Sequence, residues 1–226
     1  MGVVISKPAI NLREQLTELK ATQGYEERQF HFDNLVTNGT FDTDVSGWTT
    51  TGAASASVTA GEVTVTGDGA FDDRIQQNIA TVIGQAYVVT AVARAGTVPA
   101  RVSVRASPTG TELAAQTVSS TSNTNVTLTF VATTASVNVD LLVWSSSAGD
   151  AVYDDISVYE IDPVDNKVIH TMPKGWKPLH VFEDGALQRE GSAYDYTVEY
   201  DGFNYIVKET VAPVAPYSTT VIGVRA

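Results

Sequence analysis

Asn34-Leu35-Val36-Thr37-Asn38-Gly39-Thr40-Phe41-Asp42-Thr43-Asp44-Val45-Ser46-Gly47-Trp48 opens the part of the chain that decides the fold. Val152-Tyr153-Asp154-Asp155-Ile156-Ser157-Val158-Tyr159 closes it about a hundred residues later. Between the two the sequence alternates with period two. Val102, Val104 and Ala106 alternate with Arg101, Ser103 and Arg105; Val126, Leu128 and Phe130 alternate with Thr127 and Thr129. Val137, Val139, Leu141 and Val143 do the same with Asn138, Asp140 and Leu142. Successive strand side chains point to opposite faces, so this Val- and Thr-rich pattern predicts half-buried antiparallel strands. Val58, Val63 and Val65 flank an Ala60-Gly61 turn, and further turn signals recur at 66–69, 95–96, 107–110 and 148–150. Many short strands closed by such turns predict a two-sheet sandwich.

The two quoted motifs resemble the first and last strands of β-jelly-roll modules of the carbohydrate-binding type, the galactose-binding-like and family 4/9 modules. There the opening reads roughly N-L-x-x-N-G-x-F-D/E…G-W and the closing F/Y-x-D-D-V/I-S-V/L. Gly84-Gln85-Ala86-Tyr87 and the following residues to Ala95 are similar to a third strand of that family, G-x-x-Y-x-x-x-x-x-A-R-A. The resemblance covers about 130 residues and implies a jelly roll over 33–161. It further implies a structural Ca²⁺ tying the first strand to the last, held by Asp42, the Gly39 carbonyl, and Asp154 or Asp155. Clustered oxygens suit that ion; Asp42 is shorter than the family's usual Glu, and the alternative is a set of solvated turn carboxylates. A sugar site needs aromatic platforms with orienting polar groups. The candidates are Phe71, just before Asp72-Asp73-Arg74, and Trp144, at a strand end, whose alternative role is packing in the core or at an interface. Trp48 belongs to the opening motif and is expected in the core. The same fold also serves as a plain structural brick.

The whole chain has 226 residues, 43% of them hydrophobic, with no cysteine and a formal charge of −12. That is enough for a real core and excludes disulfides and thiolate chemistry. The acidity disfavours nucleic acid and anionic membranes as partners. Met1 to Pro8 holds too short an apolar run for a cleavable signal or a membrane span, which predicts assembly in the host cytoplasm for the role reached below.

Residues 1–32 read as an N-terminal arm. Asn11 and Glu14 make a capping box, and Leu12, Leu16 and Leu19 fall on one face of a short helix ending near Ala21. So short a helix is marginal alone in water, so its leucines dock on its own domain or on a neighbouring subunit. Residues 162–226 read as a small β-module, with Trp176 to Phe182, an Asp184-Gly185 turn, Tyr194 to Val198, an Asp201-Gly202 turn and a last strand from Ser218. Its Val181-Phe182-Glu183-Asp184-Gly185-Ala186-Leu187-Gln188 run resembles small β-modules of tailed-bacteriophage virion proteins, and Lys7-Pro8-Ala9-Ile10-Asn11-Leu12-Arg13-Glu14 resembles the start of such proteins. The resemblance implies that arm and module are nearly contiguous in shorter relatives, with Phe30-His31-Phe32 as a strand of the C-terminal module and the jelly roll inserted between. About 60 residues make only a small core, and apolar Trp176, Phe182, Tyr205 and Tyr217 exceed what it hides, which predicts a homotrimer.

His31, His170 and His180 lie in separate sequence contexts without metal-ligand spacing, and no nucleophile elbow or phosphate loop is present. The reading is therefore of a non-enzyme, mainly β: an antiparallel jelly-roll sandwich with a small C-terminal β-module and a short helical arm. Its expected role is a virion structural protein, a capsid decoration or head-fibre subunit bound to the major capsid protein. The alternatives are a tail or collar fibre adaptor bound to tail proteins, and a glycan-binding module for host attachment.

Overall fold

The computed structural model describes residues 26–32, 34–107, 109–210 and 218–225. The arm helix with Leu12, Leu16 and Leu19, and Tyr217, lie outside the described residues. Among the described residues there are strands, turns and loops and no helix. β1 spans Glu27–Phe32, β2 Thr49–Thr51, β3 Ser55–Thr59, β4 Glu62–Gly67 and β5 Arg74–Ala80. β6 runs Ala86–Ala95, β7 Ala100–Ala106, β8 Glu112–Val118, β9 Thr124–Val131, β10 Ser136–Val143 and β11 Gly149–Ile161. Then come β12 Ile169–Thr171, β13 Trp176–Glu183, β14 Ala186–Leu187, β15 Tyr196–Tyr200, β16 Tyr205–Glu209 and β17 Thr219–Arg225.

Two five-stranded sheets make the sandwich: β2-β5-β10-β7-β8, here sheet I, and β3-β4-β11-β6-β9, sheet II. Every pairing within them is antiparallel. The alternating apolar residues of both sheets meet between them. Val102, Val104, Val139 and Leu141 of sheet I and Val63, Val65, Val89 and Val126 of sheet II are all fully buried. Each such side chain contributes roughly 1.5–3 kcal/mol, against ~0–1 kcal/mol for a surface ion pair, so the interior holds the sandwich together. Tyr153 of β11 crosses this interior. Its hydroxyl accepts from the Arg101 amide at 3.0 Å and donates to the Leu142 carbonyl.

The two motifs that announce the fold are joined physically. The Asn34 side chain donates to the Ile156 carbonyl (3.0 Å) and accepts from the amides of Val158 (2.8 Å) and Val36 (3.0 Å). The Leu35 amide donates to the Val158 carbonyl at 3.1 Å, and the Ile156 amide to the Gly39 carbonyl at 2.9 Å. A Cβ on residue 39 would lie 2.0 Å from the Ile156 carbonyl oxygen, so only glycine fits there. Phe41 is fully buried and packs on Trp48, ring centroids 5.4 Å apart, and the Trp48 indole donates to the Asn38 carbonyl.

The strands after β11, joined by β1 from before the sandwich, build two small sheets, β1-β17-β13-β14 and β12-β16-β15. Phe30, His31 and Phe32 lie in β1, which pairs along its length with β17. The core of this part gathers Met172, Trp176, Val181, Tyr196, Val207 and Val221, with Phe30 edge-on to Trp176 at 5.1 Å. Val168, just before β12, completes a buried cluster with Ala86, Val88, Tyr159 and Ile161 on the outer face of sheet II. The connecting segment is pinned by Lys208, whose ammonium lies 2.7 Å from Asp162 and 3.0 Å from Asp165.

Candidate functional site

Asp73 organises one end of sheet I. Its carboxylate accepts from the amides of Ala53 (2.7 Å) and Asp68 (2.8 Å), and its carbonyl accepts from the Val143 amide at 3.0 Å. Burial alone would raise this carboxyl, but the amide donors, Asp68 first and then Ala53, outweigh it and hold Asp73 below the usual range. A Cβ on residue 67 would sit 2.7 Å from the Asp73 carboxylate, so the seat needs Gly67. This fixed loop places Phe71 beside Trp144, which continues from β10. Their ring centroids are 4.9 Å apart at 61°. Phe71 is half exposed. The Arg101 guanidinium lies over the Trp144 ring, 4.3 Å from its centroid.

From this aromatic end the outer face of sheet I runs as polar cross-strand rows. The register aligns Thr51, Arg74, Leu142, Arg101 and Thr117 in one row, and Thr49, Gln76, Asp140 and Ser103 in the next. Asn78 and Asn138 follow, hydrogen-bonded at 2.8 Å. Asp140 and Ser103 are buried although they face outward, because longer neighbours close over them. Arg105 donates to both Asp140 oxygens, at 2.5 and 2.9 Å, and the Arg74 Nε lies 3.3 Å from the same carboxylate. Burial pushes the Asp140 carboxyl up and the two arginines pull against it, Arg105 first. Arg105 in turn is held above its ordinary range by its hydrogen bonds to Asp140. Arg101 grips Glu112 at 2.8 and 3.0 Å and Thr117 at 2.9 Å. The face thus offers fixed donors and acceptors beside an aromatic platform.

Phe71 and Trp144, nominated separately from the sequence, come together here. The arginines, Gln76 and Asp140 are not among the candidates that the sequence offers. Their signal was present: Arg and Asp at outward mid-strand positions, where Thr and Ser would serve a plain solvated face.

The carboxylates named for calcium lie at the junction of the two motifs. The Asp154 side chain takes the Asp155 amide at 2.7 Å, and Asp155 has φ +53° at an irregularity in β11. Burial first, then repulsion from Asp155, Glu62 and Asp42, pushes Asp154 up to about 6. The Gly39 carbonyl already accepts from Ile156, and the Asp42 carboxylate from Thr40 at 3.1 Å. Among the described residues no three His, Cys, Asp or Glu side chains converge as a ligand set, so an ion here would draw on backbone carbonyls as well.

His31 and His170, remote in sequence, line one cavity of about 410 Å³ between the sandwich and the C-terminal sheets. His170 pairs with Glu209 at 2.7 Å and His31 with the Thr220 hydroxyl at 3.0 Å.

A family profile described as carbohydrate binding domain, of the 4/9 type, matches residues 33–150. No curated protein matches the chain. Among solved structures, one described as CBM4 is 23% identical, with TM-score 0.47, covering 55% of this chain and 98% of its own. The CBM22-1 xylan-binding domain of Paenibacillus barcinonensis Xyn10C is 17% identical, with TM-score 0.44, covering 54% and 91%. The enzymatically active domain of bacteriophage CBA120 tailspike protein 4 is 17% identical, with TM-score 0.42, covering 57% of this chain and 21% of that one. With more than half of its length matched by the profile, the chain belongs to the carbohydrate binding domain family.

Proposed function

We propose that the protein is a glycan-binding module and that the outer face of sheet I takes the sugar. The meeting of Phe71 and Trp144 at 4.9 Å carries this reading. A pyranose ring stacks its apolar face on such a platform, and its hydroxyls need donors and acceptors already held in place. Arg74, Gln76, Asn138 and Arg101 stand in the adjoining rows. The reading is of binding and not of catalysis. The adjacent Asp72 and Asp73 do not act as a pair, since Asp73 is buried on loop amides. A glycan array followed by calorimetry tests it. Phe71→Ala and Trp144→Ala should each weaken the best ligand about five- to thirtyfold, since an aromatic platform contributes about 1–2 kcal/mol. A blank array would sink the reading.

A second proposal concerns where the module works. The phage-like C-terminal run and arm support a virion subunit on the head, or on the tail or collar as the alternative. The packing of Val168 on Val88 and Tyr159 supports a base under sheet II with sheet I facing away. In this proposal Leu12, Leu16 and Leu19 grip a capsid or tail protein and the subunit is a homotrimer. Removing residues 1 to 24 should abolish incorporation into labelled particles and leave a cooperative thermal transition. Full decoration by the truncated chain, or a monomer in light scattering, would count against the respective part. Calcium between Asp42, Gly39, Asp154 and Asp155 belongs to the same proposal.

A further inference from the structure

We propose that the glycan taken by sheet I is anionic, and that it sets a carboxylate against the Arg74–Arg105 pair. The inference rests on the glycan reading and names the class of sugar. Residues 33–161 hold four arginines, no lysine and thirteen Asp and Glu. Three of the four arginines, Arg74, Arg101 and Arg105, share the outer face of sheet I. The acidic rest of the surface would steer an anion away, so this face is where one can be received.

The charges on the face do not balance. Arg101 is matched by Glu112. Arg74 and Arg105 both lean on the single carboxylate of Asp140. Their side chains are only 12% and 22% exposed, and that of Asp140 is fully buried, so water compensates little. Burial, then repulsion from Arg105, lowers the Arg74 guanidinium against the pull of Asp140 and Asp72. The Arg101 Nε is also buried without a hydrogen-bond partner among the described residues. One arginine would suffice to neutralise Asp140. A second beside it leaves, within the buried cluster, one positive charge in excess that only the exposed Asp72 carboxylate offsets, and a planar carboxylate is the anion that guanidinium forks fit best. A neutral glycan would draw nothing from that excess.

The test uses the full chain and calorimetry with a panel of uronic-acid oligosaccharides of several linkages. Each is paired with its methyl-esterified, uncharged form, and sulfated oligosaccharides of equal charge form a third arm. The acid forms should bind about tenfold or more above their esters, and the preference should shrink as salt rises. Arg105→Gln should remove the preference. Asp140→Asn, which keeps the shape and frees a second guanidinium, should raise affinity for the acids severalfold relative to their esters. If Arg105→Gln fails to fold, the Asp140→Asn result decides. Arginines that merely brace the sheet would make Asp140→Asn a stability change with no such selectivity, and the inference would fall. Esters bound as well as acids would also overturn it and leave the glycan reading intact. Sulfated ligands preferred over carboxylated ones would overturn the carboxylate assignment. No binding to any of these or to neutral glycans would remove both.

Discussion

The two outer faces of the sandwich use the same strand geometry to opposite ends. On sheet I the outward positions carry Arg74, Gln76, Asn138, Asp140, Arg101 and Arg105. On sheet II, toward the C-terminal sheets, they carry Ala86, Val88, Tyr159 and Ile161, buried against Val168. β6 is accordingly buried on both sides over its first six residues, whereas β7 alternates apolar residues inside with Arg101, Ser103 and Arg105 outside. A strand covered on both faces loses period two, and a strand covered on one keeps it. The faces thus differ in what completes them: one is covered by the rest of the protein, and the other carries polar side chains paired largely with one another.

The comparison can be broken most forcefully at Asp140. Asp140→Ala leaves Arg74 and Arg105 facing each other without their shared carboxylate, and should cost about 3–5 kcal/mol in chemical denaturation, as for other buried ion pairs broken on one side. A loss under 1 kcal/mol would mean that sheet I's polar rows are as well solvated as an ordinary surface. On the opposite face Tyr159→Ala should cost about 3 kcal/mol through the cavity it leaves. It should also separate the melting of the sandwich from that of the C-terminal sheets. A single unshifted transition would show that the covered face contributes little.

A smaller effect sharpens the picture of how Phe71 is held. Asp73 is depressed in the folded state, so its contribution is present above the ordinary carboxylate range and is lost as pH falls through the folded value. Asp73→Asn should cost roughly 1–2 kcal/mol at neutral pH and flatten the acid limb of the stability profile. An unaltered acid limb would remove Asp73 as the loop's anchor. Asp154 has the opposite sign. Pushed up to about 6, it favours the fold below the ordinary carboxylate value, and that contribution is lost as pH rises from about 4 through 6. Asp154→Asn should therefore level the melting temperature across that window. Calcium, if bound there, should raise the wild-type melting temperature at neutral pH by mass action and leave Asp154→Asn unaffected. Melting curves identical with calcium and with chelator would leave these carboxylates as turn residues.

Much of the sandwich was legible because its signals are local. Val102, Val104 and Ala106 declare an inward face by spacing alone, and Ala60-Gly61, at φ +55° and +80°, declares a tight hairpin. The site was legible only in pieces. Phe71 and Trp144 could each be named, but their meeting depends on the bond between the Val143 amide and the Asp73 carbonyl, a pairing between distant segments that no spacing encodes. Arg74, Asp140 and Arg105 were hidden for a related reason. Each lies on a different strand, and the row that joins them exists only once β10 is seated between β5 and β7. His31 and His170 likewise become neighbours of one cavity only through the pairing of β1 with β17 and of β12 with β16.

The Asn34 clasp has a mechanical meaning. One side chain holds both Ile156 and Val158, so the chain enters and leaves the sandwich at a single point. Beyond it, one end runs into β1, which lies against β17, and the other runs into β12. A tug on anything held by sheet I therefore reaches the rest of the molecule through two covalent leads that start together. With Val168 also packed on sheet II beside these leads, such a load is not drawn through the sandwich from end to end.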